Sequence, residues 1–545
     1  MIINIPKSPF LETDDGQIFA LITGARGFVF IPRTICLGYS IASRLLDEFL
    51  ISSTSSLNKK LTLIICTRSL VQAQSSIIHL RAHLLKFLKS SPFAEQQRSR
   101  EVLIGKHYDW QDYFQRVRLI GVEVDLCDLR SIYMLADKLV NGLKEDYDYL
   151  DTDRNKHSLN SEENTFRTPL RTYQDVSVAQ GCKGSDGIFR LPRIDVVIFT
   201  AGIGGWTGID LYLSTKAFLF DTFEAVTRPN YNISRVGAQV KPQKTDRARN
   251  DPKSSAQFST SGVKGLEEPP LGEVFCSNVF GHYLLAHELM PLLSQPGTST
   301  SQYGGKIIWV SSIANFHDSF SFDDFQGLKS LAPYESSKRL IDLLVLPCEK
   351  SSVKLPAESF FDVSRTISGR KKYSPANANL DNQRLVKPKN YVTHPGIFAS
   401  DIMPLHFILA LACKLIFYLV RWFGSPWHTI NPYNAAIAPV RLALVDSEEL
   451  NKMRESDPSM LKWGSATDSW GNAKIKKTEV PGWGWDGNVD TQPDAEMMQG
   501  RLRGSGDLRR ETIEDFERLS ARCWKYMEEL RDEWEAVLGL KGSEV

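Results

Sequence analysis

Short, continuously apolar runs alternate with stretches of helical periodicity over most of this 545-residue chain. Each run is rich in β-branched residues and ends at a turn, which is typical of a strand buried on both faces. The predicted strands are residues 18–23, 61–66, 117–124, 194–199, 306–310 and 389–393. Helices are predicted at 38–50, from 70 to about 90, from 129 to about 144, at 272–294 and around Tyr334. This alternation predicts an α/β fold, a Rossmann-like, doubly wound parallel sheet with helices on both faces.

Four polar stretches interrupt the pattern, near residues 150–186, 236–268, 352–386 and 465–506. They are rich in Ser, Lys, Asp, Pro and Gly and cannot bury a core, so we expect long, largely disordered surface loops. The first three are predicted insertions in a single domain over residues 14–445. The remaining part, 446–545, is predicted to be a polar linker followed by a C-terminal helix.

The predicted C-terminal helix covers residues 511–538. Its apolar residues recur by threes and fours: Ile513, Phe516, Leu519, Cys523, Met527, Leu530, Trp534 and Val537. Such an amphipathic stripe is expected to pack on its own domain. The alternative is a helix that binds a partner protein.

Residues 405–423 form the most apolar stretch of the chain. A helix of this length nearly matches the hydrocarbon core of a bilayer, about 30 Å thick. Lys414 lies at its middle, where a lysine costs about 2.5–3.5 kcal/mol on insertion. We therefore expect a membrane-associating helix that lies in the interface; a spanning helix and a soluble core helix are the alternatives.

The composition, with 42% hydrophobic and 24% charged residues, is that of a globular protein. A net charge of +1 gives no reason to expect a nucleic-acid partner. The eight cysteines are scattered, without the spacing of a metal site, so we expect no metal and reduced thiols in a protein that faces the cytosol. The first residues lack a basic region followed by an apolar run, and we expect no secretory signal.

The candidate chemistry centres on Tyr334 and Lys338, which would share one face of a helix. A lysine ammonium beside a phenol is expected to lower the pKa of the phenol. Such a tyrosine donates a proton to a carbonyl oxygen as a hydride reaches its carbon. The fifth predicted strand ends in Ser311-Ser312, and a serine there would bind the same oxygen.

Ligands of doubly wound sheets bind at the carboxyl ends of the strands, and the other notable polar groups fall there. Thr23-Gly24, before a helix, suits a pyrophosphate. Arg68 follows the second strand, where an arginine favours the 2′-phosphate of NADPH over NADH; the alternative is a solvated surface arginine. Asp125 would meet the adenine or cap the next helix. Gly202 would let a cofactor approach the backbone.

Asn278 lies within a predicted helix, where asparagine is unfavourable. One reason for it would be to hold a water that relays protons to Lys338; the alternative is an exposed helix residue. His282 and His394 are expected to be structural.

These motifs occur in an order that resembles the short-chain dehydrogenase/reductase superfamily. Within it, the chain is similar to the fungal 3-keto-steroid reductases of sterol C-4 demethylation in ergosterol biosynthesis, over about residues 14–445. The motifs are Thr-Ala-Gly-Ile-Gly-Gly (200–205), Asn-Val-Phe-Gly-His-Tyr (278–283), Val-Ser-Ser-Ile (310–313), Tyr-Glu-Ser-Ser-Lys (334–338), His-Pro-Gly-Ile-Phe-Ala-Ser (394–400) and Gly-Ser-Pro-Trp-His (424–428).

The resemblance implies roles for individual residues. Tyr334 becomes the general acid, Lys338 its activator and a ribose ligand, Ser312 the ligand of the carbonyl oxygen, and Asn278 the anchor of the proton relay. The implied cofactor-binding residues are Thr23, Gly24, Gly38, Arg68, Asp125, Ala201, Gly202, Tyr334, Lys338, Pro395, Gly396 and Ser400.

The resemblance also implies the reaction and its location. It implies NADPH-dependent reduction of the 3-keto group of a C-4-demethylated sterol to the 3β-alcohol. The implied location is the cytosolic side of the endoplasmic reticulum membrane, or lipid droplets, beside the other demethylation enzymes. The alternatives are a reductase of another lipid carbonyl and a catalytically weak scaffold of the demethylation complex.

The chain departs from the family at the cofactor turn. Relatives usually have Thr-Gly-x-x-x-Gly-x-Gly, whereas here residues 26–36 separate Ala25 from Leu37-Gly38. Our hypothesis is that this segment is a coding artefact such as a retained intron; a genuine insertion is the alternative. Thr200 also stands where many relatives have Asn.

Overall fold

In the described part of the chain, nine strands form one mostly parallel sheet. The computed structural model describes residues 16–26, 36–53, 58–144, 150–151, 188–189, 191–243, 267–297, 303–372, 385–398, 407–445, 449–450, 460–502 and 504–540. Its strands are β1 Gln17–Thr23, β2 Lys60–Thr67, β3 Val117–Glu123, β4 Leu143–Lys144, β5 Leu150–Asp151, β6 Ile188–Phe189, β7 Val196–Phe199, β8 Trp206–Ile209, β9 Asn232–Ser234, β10 Lys306–Val310, β11 Lys389–His394, β12 Ile397–Phe398, β13 His428–Ile430, β14 Lys462–Thr467 and β15 Ala473–Thr478.

The helices follow the strands in the predicted alternation. They are α1 Leu37–Ser52, α2 Leu70–Ser90, α3 Pro92–Leu103, α4 Trp110–Phe114, α5 Leu129–Asn141, α6 Leu211–Thr227, α7 Glu273–Phe275, α8 Gly281–Glu288, α9 Met290–Leu293, α10 Pro333–Val345, α11 Ser351–Phe361, α12 Ile367–Lys372, α13 Phe407–Trp422, α14 Pro432–Ala435, α15 Ile437–Leu444, α16 Ala495–Met498 and α17 Arg510–Val537. A π-helical turn at Cys276–Phe280 joins α7 to α8.

The parallel sheet and all six predicted strands are confirmed. The strand order in the sheet is β15-β14-β11-β10-β7-β1-β2-β3-β5. The seven strands from β14 to β3 in this order are parallel, while β15 and β5 pair antiparallel at the two edges. The chain passes from β1 outward through β2 and β3 and then returns to β7 on the other side of β1. The carboxyl ends of β1 and β7 therefore flank the crevice in which doubly wound sheets bind ligands.

Alternation along β1 builds a core on each face of the sheet. Ile18, Ala20 and Ile22 belong to a cluster with α1, α2 and α15. Phe19 and Leu21 belong to a cluster with α5, α8, α10 and α17. Because both faces of the strands are covered, their side chains are apolar without a break, which is the pattern seen in the sequence.

Two of the predicted surface loops are wrong over their described parts. Residues 351–361 and 367–372 form α11 and α12 instead of a loop, and Val353, Ala357 and Phe360 are buried. Residues 465–506 contain the second half of β14 and all of β15, so the predicted linker region contributes to the main sheet. Polar composition misled here because β15 is an edge strand with one face in water. Most of the predicted insertions over 150–186 and 236–268, residues 373–384 and most of 26–36 lie outside the described residues.

The C-terminal helix α17 packs on its own domain, as expected from its stripe. The stripe and Trp524 enter the same core as α8 and α10. Tyr283 donates to Glu528, and the indole of Trp524 donates to the Leu344 carbonyl at 2.9 Å. The face expected to be apolar is therefore occupied within the molecule.

The apolar stretch 405–423 contains the 16-residue helix α13. Among the described residues, no helix is long and apolar enough to cross a membrane. Leu411, Leu415, Leu419 and Trp422 on α13 are exposed, so this helix is not a core helix. Its association with a membrane stays a prediction.

Candidate active site

Helix α10 presents Tyr334 and Lys338 one turn apart at the carboxyl end of β10. Pro333 is the first residue of the helix, where its fixed φ suits a helix start and its missing N–H costs nothing. The Lys338 ammonium lies 5.5 Å from the centre of the Tyr334 ring. It donates to the carbonyl of Val310, the last residue of β10, at 2.8 Å. The predicted pair therefore forms, anchored to the strand end.

Ser312 lies in the loop after β10 and hydrogen-bonds the Tyr334 phenol. Its hydroxyl also accepts a bond from the Ala314 amide at 3.1 Å, which fixes the serine rotamer. The structure thus selects Ser312 over Ser311, whose hydroxyl donates to the Lys338 carbonyl.

The Tyr334 pKa differs from the expectation. Burial raises the pKa of Tyr334 to about 12, the Ser312 hydroxyl lowers it in part, and Glu335 raises it. The Lys338 ammonium, 5.5 Å from the centre of the ring, is not among the causes of the shift. Burial and the charge of Lys462 lower the pKa of Lys338 to about 8. The phenol is therefore protonated at neutral pH, which is the state that a proton donor needs.

Asn278 lies in the π-helical turn, a local geometry that often marks functional sites. Its side-chain oxygen accepts from the Ile203 amide at 2.8 Å. Its amide group donates to the Ile203 carbonyl and to the Ser337 hydroxyl, each at 3.0 Å. Asn278 is buried and joins the loop after β7 to α10, so the reading as an exposed helix residue is wrong. The proton relay stays a prediction.

Aromatic packing surrounds Tyr334. Trp206 on β8 lies against the Tyr334 ring, with ring centres 4.7 Å apart. His282 is fully buried, and burial lowers its pKa to about 3, so it is neutral. It bonds Thr23 and the Asn278 carbonyl, which agrees with the expected structural role.

Thr23 and Gly24, the start of the predicted cofactor turn, lie at the carboxyl end of β1, and most of the loop that follows lies outside the described residues. The Thr23 hydroxyl accepts from the Thr200 and Ala201 amides at 3.0 and 3.2 Å. Thr23 is fully buried, and its hydroxyl holds β1 to β7 from beneath the turn; its role in cofactor binding stays a prediction. The Thr200 hydroxyl donates to the Thr23 carbonyl, which gives the threonine found in place of Asn a structural role.

Three glycines keep the turn close-packed. Gly24 has φ +70°, and a Cβ there would lie 2.7 Å from the Ala201 Cα. A Cβ on Gly38 would lie 2.6 Å from the Gly24 carbonyl oxygen. A Cβ on Gly202 would lie 2.8 Å from the Asn278 side-chain oxygen. A side chain at Gly24 or Gly38 would displace neighbouring backbone, and one at Gly202 would displace the Asn278 side chain.

The other predicted cofactor residues are spread along the same edge of the sheet. Arg68 is exposed directly after β2, and β2 pairs with β1 up to Cys66 beside Thr23. Asp125 accepts from the Cys127 amide at 3.0 Å, while Asp128 caps α5. Asp125 thus shapes the turn before that helix.

The loop after β11 contributes a further turn at this edge. Gly396 has φ +69°, and its amide donates to the His394 ring at 3.2 Å. The Pro395 carbonyl accepts from the Thr429 hydroxyl at 3.1 Å. Ser400 lies outside the described residues.

Sequence reasoning missed the polar residues behind the catalytic loop. Lys462 on β14 and Asp342 on α10 form a fully buried ion pair with an N–O distance of 2.7 Å. Asp342 could have been predicted from the sequence, because it lies four residues after Lys338 and so shares the helix face of Tyr334 and Lys338. Lys462 carried none, because the strand that buries it was predicted to be a linker. In the described residues no cluster could hold a metal ion.

No protein-family model matches the chain. Over 540 residues the chain is 35% identical to 3-keto-steroid reductase ERG27 of Gibberella zeae, covering 96% of each protein. It is 32% identical over 530 residues to 3-keto-steroid reductase erg27 of Aspergillus fumigatus, covering 96% of this chain and 95% of the relative. With ERG27 of Saccharomyces cerevisiae it shares 30% over 291 residues, 53% of this chain and 63% of the relative. A solved 3-oxoacyl-[acyl-carrier protein] reductase from Brucella melitensis aligns at 12% identity and a TM-score of 0.31, over 79% of this chain and 85% of the other.

Proposed function

We propose that the chain, which belongs to the 3-keto-steroid reductase family, reduces the 3-keto group of a C-4-demethylated sterol to the 3β-alcohol with NADPH. The observation that carries the proposal is the convergence of Ser312 and Tyr334 at the carboxyl end of β10. Two hydroxyls there are placed to bind one carbonyl oxygen, and relatives that match over nearly the whole chain are named 3-keto-steroid reductases.

The residues act on the ketone oxygen. Ser312 and Tyr334 donate hydrogen bonds to it and stabilise the negative charge that develops as the carbonyl is reduced. Tyr334 then gives its proton to that oxygen, so the product is a neutral alcohol. The Lys338 ammonium lies over the ring and stabilises the phenolate that remains. NADPH, when bound, supplies the hydride.

The residues at the nucleotide end fit this cofactor. Gly24, Gly38 and Gly202 let the turn after β1, the start of α1 and the loop after β7 pack closely at the switch between β1 and β7. Arg68 is an exposed cation after β2, where the 2′-phosphate of NADPH would meet it. The preference for NADPH over NADH is part of the proposal.

We also propose that a bilayer surface delivers the substrate. Helices α6 and α13 pack together and expose a two-helix apolar face, formed by Leu211, Tyr212, Leu219, Phe220, Leu411, Leu415, Leu419 and Trp422. Helix α6 begins five residues after Trp206, whose ring lies on Tyr334. A sterol leaving a membrane at this face would enter beside the catalytic tyrosine.

The proposed location rests on the resemblance to the 3-keto-steroid reductases, and the apolar face supports only its lipid-docked part. It is the cytosolic surface of the endoplasmic reticulum or of lipid droplets, beside the other enzymes of sterol C-4 demethylation. A sterol ketone dissolves in lipid and not in water, so an enzyme docked on lipid meets its substrate there.

The test is oxidation of NADPH with a panel of 3-ketosterols by the wild type and Tyr334→Phe. Loss of the proton donor is expected to lower kcat by about 10²- to 10⁴-fold. Tyr108→Phe is the matched control, since that phenol is also buried but bonds the Leu88 carbonyl far from the site. Replacing NADPH by NADH should lower the rate. A wild type that binds NADPH but reduces no 3-ketosterol contradicts the proposal.

A further inference from the structure

Strand β14 places a lysine inside the molecule, directly behind the catalytic loop. Lys462 is opposite Val392 of β11, and its side chain is fully buried. Lysine is almost never buried completely unless it is paired. Taking an ammonium out of water costs several kcal/mol, which only well-placed partners offset.

All three partners of this ammonium lie in the loop after β10 or on helix α10. Lys462 Nζ donates to the Ser312 carbonyl at 2.6 Å and to the Asp342 carboxylate at 2.7 Å. It also donates to the Ser311 hydroxyl at 3.2 Å. These three contacts use the three donors that a lysine has.

The contacts tie the loop after β10 to helix α10 at several points. Asp342 also accepts from the Asn315 amide group, three residues beyond Ser312. Ser311 donates to the Lys338 carbonyl at 3.2 Å. Residues 311–315 are thereby fixed to the same helix that carries Tyr334 and Lys338, with Lys462 as the central donor.

We propose that Lys462 is a positioning residue for ketone reduction, because its ammonium holds the Ser312 loop against α10 so that Ser312 and Tyr334 converge on one oxygen. The role in ketone reduction rests on the proposed function. The structural part of the inference, that Lys462 holds the Ser312 loop against α10, does not depend on the substrate. It assigns a role in the site to a strand outside the region that the sequence motifs cover.

The charge of Lys462 also reaches Lys338. It helps to lower the pKa of Lys338 to about 8, while Asp342 raises it. The charged groups that act on the pKa of Lys462 are Asp342 and Arg339 of α10 and Arg228 after α6. The titratable group on the neighbouring strand is His394. His394 is buried and its pKa is well below the usual value, so it is neutral.

The experiment compares Lys462→Met with Lys306→Met in the full chain. Lys306 is a second buried lysine, which donates to the Leu442 and Val445 carbonyls at the opposite end of β10. Both variants should lose stability. Only Lys462→Met should lose kcat, by on the order of 100-fold, as expected when a reacting group is misplaced by about 1 Å.

Two further readouts separate positioning from mere stability. Hydrogen exchange of the amides in residues 311–317 should rise in Lys462→Met and not in Lys306→Met. Without the neighbouring positive charge the pKa of Lys338 rises, so the alkaline limb of the kcat profile should move to higher pH in Lys462→Met alone.

A Lys462→Met protein whose kcat, pH profile and loop exchange all match those of Lys306→Met overturns the inference. If Lys462→Met does not fold, the double variant Lys462→Met/Asp342→Asn removes both charges together and is judged by kcat and loop exchange in the same way. If the wild type reduces no ketone, the proposed function fails, and the loop exchange still decides whether Lys462 holds the loop.

Discussion

At the scale of single residues, the site contains a carboxyl group that its reaction does not use. Glu335 follows Tyr334 on α10 and is 6% exposed. Within the described residues its Oε2 atom has no hydrogen-bond partner. Burial raises the pKa of Glu335 from 4.5 to about 7. The carboxyl is therefore more stable in its neutral form inside the folded protein.

This carboxyl predicts a pH dependence of stability. Because the folded pKa lies above the unfolded one, its contribution is complete below pH 4.5 and is lost as pH rises to about 7. The loss is of the order of 3 kcal/mol. Glu335→Gln has no carboxyl to ionise and should not show this loss. From pH 5 to 8 the unfolding free energy of the variant should therefore rise relative to that of the wild type. Urea unfolding at each pH measures this.

The matched control for that series is Glu514→Gln, at an exposed glutamate of α17. Its unfolding free energy should follow that of the wild type at every pH. Parallel curves for the wild type and Glu335→Gln would show that the buried carboxyl has no such effect.

Sequence predicted the residues whose spacing is local and missed those joined only by the fold. Tyr334 and Lys338 are four residues apart, and Ser312 follows an apolar run, so their local spacing in the sequence identifies them as candidates. Trp206 and Lys462 reach the site from separate strands, over distances along the chain that no periodicity spans. The expected effect of Lys338 on the Tyr334 pKa failed for a related reason, since burial is a property of the packed molecule.

At the scale of elements, the buried parallel strands were predictable because each is apolar throughout and bounded by turns. Strands β14 and β15 were not, because Lys462, Lys474, Lys476 and Lys477 make the stretch polar. The π-helical turn at Asn278 was signalled only by an unfavourable residue. Helix α13 was predicted from composition, but its neighbour α6, which completes the two-helix apolar face, was not.

The two-helix apolar face predicts binding to lipid vesicles. The wild type should float with vesicles of phosphatidylcholine and ergosterol, whereas Leu219→Glu/Phe220→Glu and Leu415→Glu/Leu419→Glu should float less. Each large apolar side chain that enters the membrane contributes about 1.5–3 kcal/mol, so each double variant should weaken binding by at least about tenfold. Leu103→Glu, at an 86% exposed leucine of α3, is the control.

The same variants connect the face to turnover. They should slow reduction of a ketosterol held in vesicles more than reduction of a small water-soluble ketone, because only the sterol enters from the lipid. Unchanged flotation of both double variants would rule out this face as the docking surface, and equal loss on both ketones would rule it out as the route of entry.

At the scale of the whole molecule, the resemblance noted from the sequence covers the chain to about residue 445. The sheet and the hydrophobic core continue beyond that residue. Strand β14 covers the edge of β11, and β15 covers β14. Helix α17 buries Trp524 and Trp534 against the core shared with α8 and α10. The region after 445 therefore supplies part of a core, which the apolar stripe of α17 indicated, and also a sheet edge and the ammonium behind Ser312, which the sequence did not indicate.

This arrangement predicts the result of truncation. A chain that stops after Val445 would expose the edge of β11, uncover the α8 and α10 side of the core and leave Asp342 as an unpaired buried charge. Loss of one partner of a buried pair alone costs about 3–5 kcal/mol, a large share of the 5–15 kcal/mol that typically holds a protein folded. The truncated chain should therefore be insoluble or show no cooperative melting by circular dichroism, whereas a chain that stops after Leu540 should melt like the full one.

A soluble 1–445 protein with a cooperative transition would mean that β14, β15 and α17 are additions to a reductase that folds without them, and would leave Ser312 to be positioned by residues 1–445 alone.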